Sequence, residues 1–195
     1  MKIGLYYRTI ITDKNGKVVK RSRWRKSRSF VIGFLGHVNS YFARAGVSIL
    51  NTGNVAKAPL IPIGASGRET MLVNAGDNDA TYGFVVGTGT IAPTNSDYKL
   101  QTQIAHGIGA GQLDYGAHSF ATAAVVGANV DFIGSRSFYN GSGATITVNE
   151  IGVYCYTFCT DSYHNYFCLI RDVITATAVL NTQTLTVQYT LRTTV

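Results

Sequence analysis

The fold class can be read most directly from residues 184–191, which run TLTVQYTL. Leu185, Val187, Tyr189 and Leu191 are apolar, and they alternate with Thr or Gln. A period of two puts one set of side chains on the buried face of a strand and the other set in solvent. The stretch therefore predicts a half-buried β-strand.

Similar short segments fill the chain from about residue 80 onward, separated by glycine-containing turns. Strands that recur about every ten residues are typical of antiparallel sandwiches and jelly rolls, so we expect a mainly β fold of that kind. The apolar residues change parity between Val148 and Ile151, which predicts a bulge or strand break near Asn149-Glu150. The other predicted strands are Thr81–Gly87, Gln112–Tyr115, Phe120–Val126, Val130–Ile133, Ser137–Tyr139 and Tyr166–Val173.

The segment Ser29–Arg44 is the one stretch with helical spacing. Phe30, Phe34, Val38 and Phe42 recur on one side of the predicted helix. We predict a helix over about residues 29–45 that packs this aromatic stripe onto a sheet.

The first 28 residues differ from the rest in charge. They hold ten Lys or Arg and one acid, whereas residues 29–195 hold seven basic and nine acidic residues, and the whole chain carries +7. Alternation over Lys2–Ile11, then the turn signal Asn15-Gly16, then alternation over Val18–Arg25 predict a β-hairpin. We therefore divide the chain into a basic hairpin arm, residues 1–28, and one β-sandwich domain with a packed helix, residues 29–195.

A hairpin this basic indicates a contact with nucleic acid or with an acidic protein surface, where Trp24 can stack. The alternative is a solvated ribbon whose charge protects an exposed edge strand. The residues assigned to the contact are Lys17, Lys20, Arg21, Arg23, Trp24, Arg25, Lys26 and Arg28.

Motifs for catalysis are weak. The four histidines are scattered, and neither a metal-binding His pair nor a nucleophile motif is present. We predict that the chain is not an enzyme, with no catalytic residue, no metal and no cofactor. Glu150 and Arg171 are charges inside apolar strands, and we interpret them as a structural ion pair rather than an acid–base pair.

The three cysteines leave several arrangements open. With His164, Cys155, Cys159 and Cys168 have the residue types of a zinc site. Four residues of strand, however, would place the first two sulfurs about 13 Å apart. This distance favours buried thiols or a single cross-strand disulfide over zinc.

Aromatic residues concentrate around a predicted hairpin tip at residues 160–162. A cluster at such a tip is hard to bury within its own domain, which indicates a contact with another subunit or with a ligand. A local mini-core is the alternative. The residues assigned to this contact are Tyr154, Tyr156, Phe158, Tyr163 and Tyr166.

Several of these segments occur in an order that resembles a group of phage and virus-like virion structural proteins. The segments are GFVVGTGT (83–90), DYKL (97–100), NEIGV (149–153), LIRDV (169–173) and LTVQYT (185–190). The basic stretch 13–29, followed by an aromatic helix, also resembles the N-terminus of that group. The resemblance covers about residues 1–35 and 80–195.

This resemblance implies a self-assembling capsid, decoration or tail protein, located in the virion and assembled in the host cytoplasm. Its partners would be copies of itself, other virion proteins and, through the basic hairpin, nucleic acid. No apolar run reaches the roughly 18–20 residues needed to span a bilayer, and no secretory signal is recognisable, so we expect no membrane partner. A nucleic-acid-binding module and a carbohydrate- or receptor-binding sandwich are the alternative functions.

Overall fold

The alternating stretches near the two ends of the chain form neighbouring strands. β1 (Lys2–Thr12) pairs antiparallel with β12 (Thr184–Thr194) along its whole length. Leu5, Tyr7 and Ile11 of β1 are buried in the core, so the odd positions of this strand face inward. The half-buried strand predicted at residues 184–191 is confirmed.

The computed structural model describes residues 2–27, 29–43, 46–59 and 71–194. Within these ranges the chain is mainly β, with one helix. The remaining elements are β2 (Val18–Arg21), β3 (Arg25–Lys26), α1 (Ile32–Ala43), β4 (Ile49–Leu50), β5 (Ala56–Lys57), β6 (Gly83–Gly87), β7 (Asp114–Phe120), β8 (Ala124–Val126), β9 (Asn129–Tyr139), β10 (Ile146–Phe158) and β11 (His164–Val179).

Two antiparallel sheets share one apolar core. The large sheet has the order β2-β1-β12-β9-β7, with β3 also paired to β1 and β8 to β9. The small sheet has the order β11-β10-β6, and β4 and β5 form a separate short pair. Leu185 of the large sheet and Ile151 and Phe167 of the small sheet belong to the same buried cluster. The mainly β, antiparallel prediction is confirmed.

The basic hairpin is part of the large sheet. β2 and β3 pair with one edge of β1, while β12 occupies the other edge. Gly16 has a φ of 78° in the turn between β1 and β2, a conformation that glycine adopts without strain. The cationic strands are therefore an edge of the main sheet.

The helix packs on the sheet with a different side from the one predicted. Its buried residues are Gly33, Gly36, His37 and Ser40. A Cβ added at Gly33 would lie 2.2 Å from the carbonyl oxygen of Cys168, so only glycine permits this approach to β11.

The predicted aromatic stripe is therefore correct only at its start. Phe34, and Phe30 just before the helix, pack against the core, but Leu35 is 63% and Phe42 86% exposed. The observed helix, Ile32–Ala43, is shorter than the predicted 29–45, and residues 44 and 45 lie outside the described chain. Leu35 and Phe42 are exposed because the side of the helix with small residues makes the closer backbone contact.

The predicted irregularity near Asn149-Glu150 is confirmed, since the pairing of β10 with β11 shifts register between Val148 and Glu150. The small sheet therefore changes which side chains face the core at this point. In the described part of the chain, no helix combines the length and the apolar character required to cross a membrane.

Candidate functional site

The cations of the basic hairpin are exposed. Seven of the eight residues assigned to the contact lie in the described chain and all seven are exposed, whereas Arg28 lies outside it. None of the six described cations among them forms an ion pair with a described carboxylate. Their charge is therefore available to a partner.

These cations do not share one face, because the outer strand is interrupted between Arg21 and Arg25. Arg21 lies opposite Ile10 of β1 and Arg25 lies opposite Tyr7. Positions 10 and 7 point to opposite sides of a strand. Burial, and then the charge of Arg21, lower the pKa of Arg8, which places Arg21 near Arg8 on the outer side.

Trp24 is already engaged on this outer side. The guanidinium carbon of Arg8 lies 4.4 Å from the centre of the Trp24 ring, in a cation–π contact. Arg8 is held there because its Nε donates to Oε1 of Gln188 at 2.6 Å. A stacking partner would therefore find one face of the indole occupied.

At one end of the large sheet the core-facing side becomes exposed. Tyr7 and Tyr189 form a buried cross-strand pair, but in the next row Leu191 is 40% and Phe132 43% exposed. Leu191 lies two positions after Tyr189 on β12, and Phe132 is its cross-strand partner on β9. Both side chains therefore face the same side of the sheet as the buried pair.

The row after that is exposed too. Ile3 is 64% exposed, Val130 39% and Val125, on the edge strand β8, 77%. We call this surface, formed by Ile3, Val125, Val130, Phe132 and Leu191, the uncovered end. It is a continuation of the core without a covering layer among the described residues.

A cavity of about 440 Å³ opens at the uncovered end. Phe132 and Leu191 of the large sheet line it, as do Leu169 of the small sheet and Phe34 of α1. No charged side chain is among its described lining residues. The cavity therefore extends the apolar surface into the space between the two sheets.

Most of the predicted aromatic contact forms a half-buried cluster. Tyr156 stacks with Tyr82, from the segment before β6, at a centroid distance of 5.3 Å, and with His164 at 4.2 Å. Tyr166 lies 5.5 Å from Tyr156, and Phe158 packs edge-on against His164. The ring faces are directed at one another, an arrangement that matches the mini-core alternative.

The two other predicted contact residues lie apart from this cluster. Tyr154 is buried, and its hydroxyl accepts a hydrogen bond from the backbone N–H of Leu100 at 2.5 Å. Tyr163, in the turn before β11, is 72% exposed. The hairpin tip thus offers one exposed aromatic ring rather than a broad aromatic surface.

The three cysteines are free and buried, so the disulfide alternative is wrong. Burial raises the pKa of Cys155 to about 12 and that of Cys159 to about 11. Among the described residues, no group of three or more His, Cys, Asp or Glu is placed to hold a metal ion.

Cys155 lies in a small polar cluster with His37 of α1. Its Sγ is 3.6 Å from Nε2 of His37, and that nitrogen is 3.2 Å from the Thr157 hydroxyl. Nucleophilic cysteines are thiolates that a substrate can reach. Burial raises the thiol pKa and lowers the pKa of His37, so this pair is neutral and enclosed, and its role is to pack the helix.

The predicted ion pair between Glu150 and Arg171 is confirmed. Nε of Arg171 donates to Oε2 of Glu150 at 2.9 Å, and Nη1 lies 2.6 Å from Oδ2 of Asp97. The Glu150 carboxylate also accepts the backbone N–H groups of Gly89, Gln101 and Thr102. It therefore ties the segment 89–102 to the small sheet.

A second buried cation, Arg136 of β9, was not predicted. Its guanidinium donates five hydrogen bonds to backbone carbonyls and is 1% exposed. The distances run from 2.5 to 3.1 Å, and the acceptors belong to Gly76, Asp79, Tyr82, Phe84 and Gly116. Arg136 thus fixes the segment before β6 against the large sheet.

His118 beside it should make stability depend on pH. Nε2 of His118 accepts the N–H of Phe84 at 2.7 Å, and Nδ1 lies 3.2 Å from the Ala75 carbonyl, an arrangement that needs the neutral ring. Burial, and then the charge of Arg136, lower its pKa from 6.5 to about 4. Between those values the unfolded chain binds a proton that the folded one does not, so stability falls on acidification.

From pH 7 to pH 5 we expect this one group to reduce the free energy of unfolding by about 2 kcal/mol. Urea unfolding at the two pH values measures it. In His118→Gln the amide can replace both hydrogen bonds without titrating. The decrease in the free energy of unfolding between pH 7 and pH 5 should therefore be about 2 kcal/mol smaller in this variant than in the parent protein. An equal loss in the variant would show that His118 does not cause the pH dependence.

His37, His118 and Arg136 escaped prediction because each has hydrogen-bond partners that are distant in sequence, such as Thr157 for His37. One usable signal was present for the helix: Gly33, Gly36 and Ser40 recur at helical spacing and mark its close-packing side. Comparisons of the chain with protein-family models, with curated proteins and with solved structures find no match.

Proposed function

We propose that the chain is a structural protein that assembles with copies of itself through the uncovered end, as a capsid, decoration or tail component of a virion. The observation that carries the proposal is the continuation of core-facing apolar side chains into solvent from Leu191 to Val125. Exposed apolar surface of this kind is typical of interaction sites.

A second copy is the occupant that best suits this surface. The five side chains of the uncovered end are uncharged and apolar, as the centres of homomeric interfaces are. The nearest residue of the outer basic strands, Lys26, lies opposite Tyr6, about 10 Å along β1 from Ile3. This exceeds the Debye length of about 8 Å at physiological salt, so the hairpin charges of two copies would repel each other only weakly there.

The virion assignment rests on the resemblance of the five ordered segments and of the basic N-terminus to virion structural proteins. The sandwich or jelly-roll arrangement belongs to the same proposal. It is supported by two antiparallel sheets that share one core. The low fraction of charged residues, 14%, also suits a chain that buries much of its surface between copies.

Sedimentation velocity over a concentration series tests the assembly. We expect the parent protein to associate, and Val125→Asp or Ile3→Asp to raise the dissociation constant at least about tenfold, because each would bury a charge. Ile108→Asp is the matched control: Ile108 is equally exposed, at 65%, but lies near Gly141, toward the opposite end of the sheet. A parent that stays monomeric, or a control that fails equally, contradicts the proposal.

Negative-stain images of the associated protein test the virion role separately. Closed shells, rings or tubes agree with a capsid, decoration or tail component. A discrete dimer without further growth argues against that role while leaving the interface intact.

A nucleic-acid contact through the basic hairpin is the second candidate function. It is favoured by six exposed cations that have no carboxylate partner among the described residues. A contact of this kind predicts affinity that falls steeply with salt and is lost when Arg21, Arg23 and Arg25 are replaced together. A carbohydrate site at the aromatic cluster is less favoured, because the rings there stack on one another.

A further inference from the structure

We propose that the inner side of the basic hairpin holds a binding site for a phosphate group. The site is a cavity of about 220 Å³ between the β2–β3 edge of the large sheet and β11 of the small sheet. We call it the ribbon pocket. It goes beyond self-assembly, and it depends on the second candidate function only for the source of the phosphate.

The pocket is lined by the hairpin cations that lie on the inner side of the strands. Lys20, Arg23 and Arg25 line it, and no carboxylate is among its described lining residues. Lys20 lies opposite Ile11 and Arg25 opposite Tyr7, which places both on the core-facing side of β1. Three cations around a small concavity are the composition that a compact dianion requires.

Hydroxyl groups complete the lining. The Ser22 hydroxyl accepts the Thr9 N–H at 2.9 Å, and no described residue accepts its proton. Thr9 is 8% exposed and also lines the pocket. Hydroxyl groups beside three cations can donate hydrogen bonds to an oxyanion bound there.

Asp172 of β11 is not among the described lining residues of the pocket. Its carboxylate accepts hydrogen bonds from the hydroxyls of Ser27 and Tyr189 at 2.9–3.0 Å. On β11 the pocket is closed by Ile174, Thr175 and Thr177. An oxyanion can therefore enter without meeting a carboxylate in the lining.

The lining groups of the pocket suit a tetrahedral oxyanion. The cavity of about 220 Å³ has room for a phosphate group. Guanidinium groups and hydroxyls are the donors that phosphate oxygens commonly receive. Two sources supply a phosphate with the same chemistry, a free phosphate ion and the backbone of a nucleic acid, and the test separates them.

Titration with inorganic phosphate at constant ionic strength tests the site, followed by ³¹P line broadening and by the rise in the thermal midpoint. We expect saturable binding to the parent protein and a loss of at least about tenfold in Arg23→Gln/Arg25→Gln. Arg21→Gln/Lys26→Gln is the matched control, because it removes the same charge from the outer side of the same strands. It should bind phosphate within about twofold of the parent. Equal loss in both variants, or no saturable binding to the parent, overturns the proposal.

Thr9→Val provides a test that leaves the charge unchanged. The substitution keeps the shape but removes the hydroxyl, so phosphate affinity should fall about tenfold if that hydroxyl donates to the anion. Circular dichroism and the thermal midpoint without phosphate establish that each variant is folded. Folded Thr9→Val protein with unchanged affinity would contradict the proposed lining.

Fluorescence anisotropy with a labelled single-stranded oligonucleotide identifies the source. If the pocket variant weakens oligonucleotide binding more than the outer-side control does, the phosphate belongs to a nucleic acid. If the two variants behave alike with the oligonucleotide while only the pocket variant loses phosphate, the ligand is the free ion. Sedimentation velocity of the same variants measures self-association independently. The pocket substitutions should leave it unchanged.

Discussion

Replacing Glu150 with Ala should reduce the free energy of unfolding by about 3–5 kcal/mol. The residue is fully buried, and its carboxylate accepts three backbone N–H groups besides Nε of Arg171. Removing it leaves a buried guanidinium with Asp97 as its single remaining carboxylate, and it leaves those N–H groups without their acceptor. Urea unfolding measures the loss.

Hydrogen exchange gives a local reading of the same substitution. The amides of Gly89, Gln101 and Thr102 should exchange faster than those of β10, because their acceptor is gone. Asp97→Asn is the graded comparison. Asp97 is partly exposed and holds only one nitrogen of Arg171, so it should cost less than Glu150→Ala. A larger loss for the Asp97 variant would contradict the central role of Glu150.

Replacing Arg136 with Met should cost more than about 3 kcal/mol. The methionine preserves apolar volume but leaves five carbonyls without a donor, in a site that water reaches poorly. Arg136→Lys keeps the charge and at most three donors, so it should fall between the parent and the methionine variant. Urea unfolding of the three proteins gives the series.

Arg192→Met is the control for Arg136. Arg192 lies on the neighbouring strand β12 and forms a two-nitrogen contact with Asp131, but its side chain is 35% exposed. Exposed ion pairs contribute at most about 1 kcal/mol. Similar losses for the two arginines would show that neither the burial of Arg136 nor its five carbonyl contacts adds to its contribution to stability.

Regular alternation made the strands at both ends of the chain predictable. Leu185 to Leu191 and Lys2 to Ile11 each have one apolar side, and that side is buried in the structure over most of its length. The bulge at Asn149 and the ion pair of Glu150 with Arg171 were predictable for a related reason. A change in parity, or a charge within an apolar strand, interrupts the regular alternation at one place, and such an interruption indicates a bulge or an ion pair there.

The parts that escaped prediction depend on neighbours that the pattern does not contain. β9 runs unbroken from Asn129 to Tyr139, but its core-facing positions include Gly134 and Arg136, so the apolar period disappears and two short strands were predicted. The side of α1 that packs was set by how closely Gly33 approaches Cys168. The ribbon pocket could not be predicted from the alternation of residues. The strand is interrupted after Arg21, so Arg25 lies on the opposite side of the sheet from the one that regular alternation would give it.

The pairing of β1 with β12 determines when the uncovered end can exist. Leu191 is synthesised almost 190 residues after Ile3, which at about 5–20 residues per second is a delay of about 10–40 s. During translation β1 has no β12 beside it, and the strand pair closes only across nearly the entire described polypeptide. Nascent chains on one polysome would therefore lack the complete uncovered end, and the association that we propose for it would have to wait until β12 has been made.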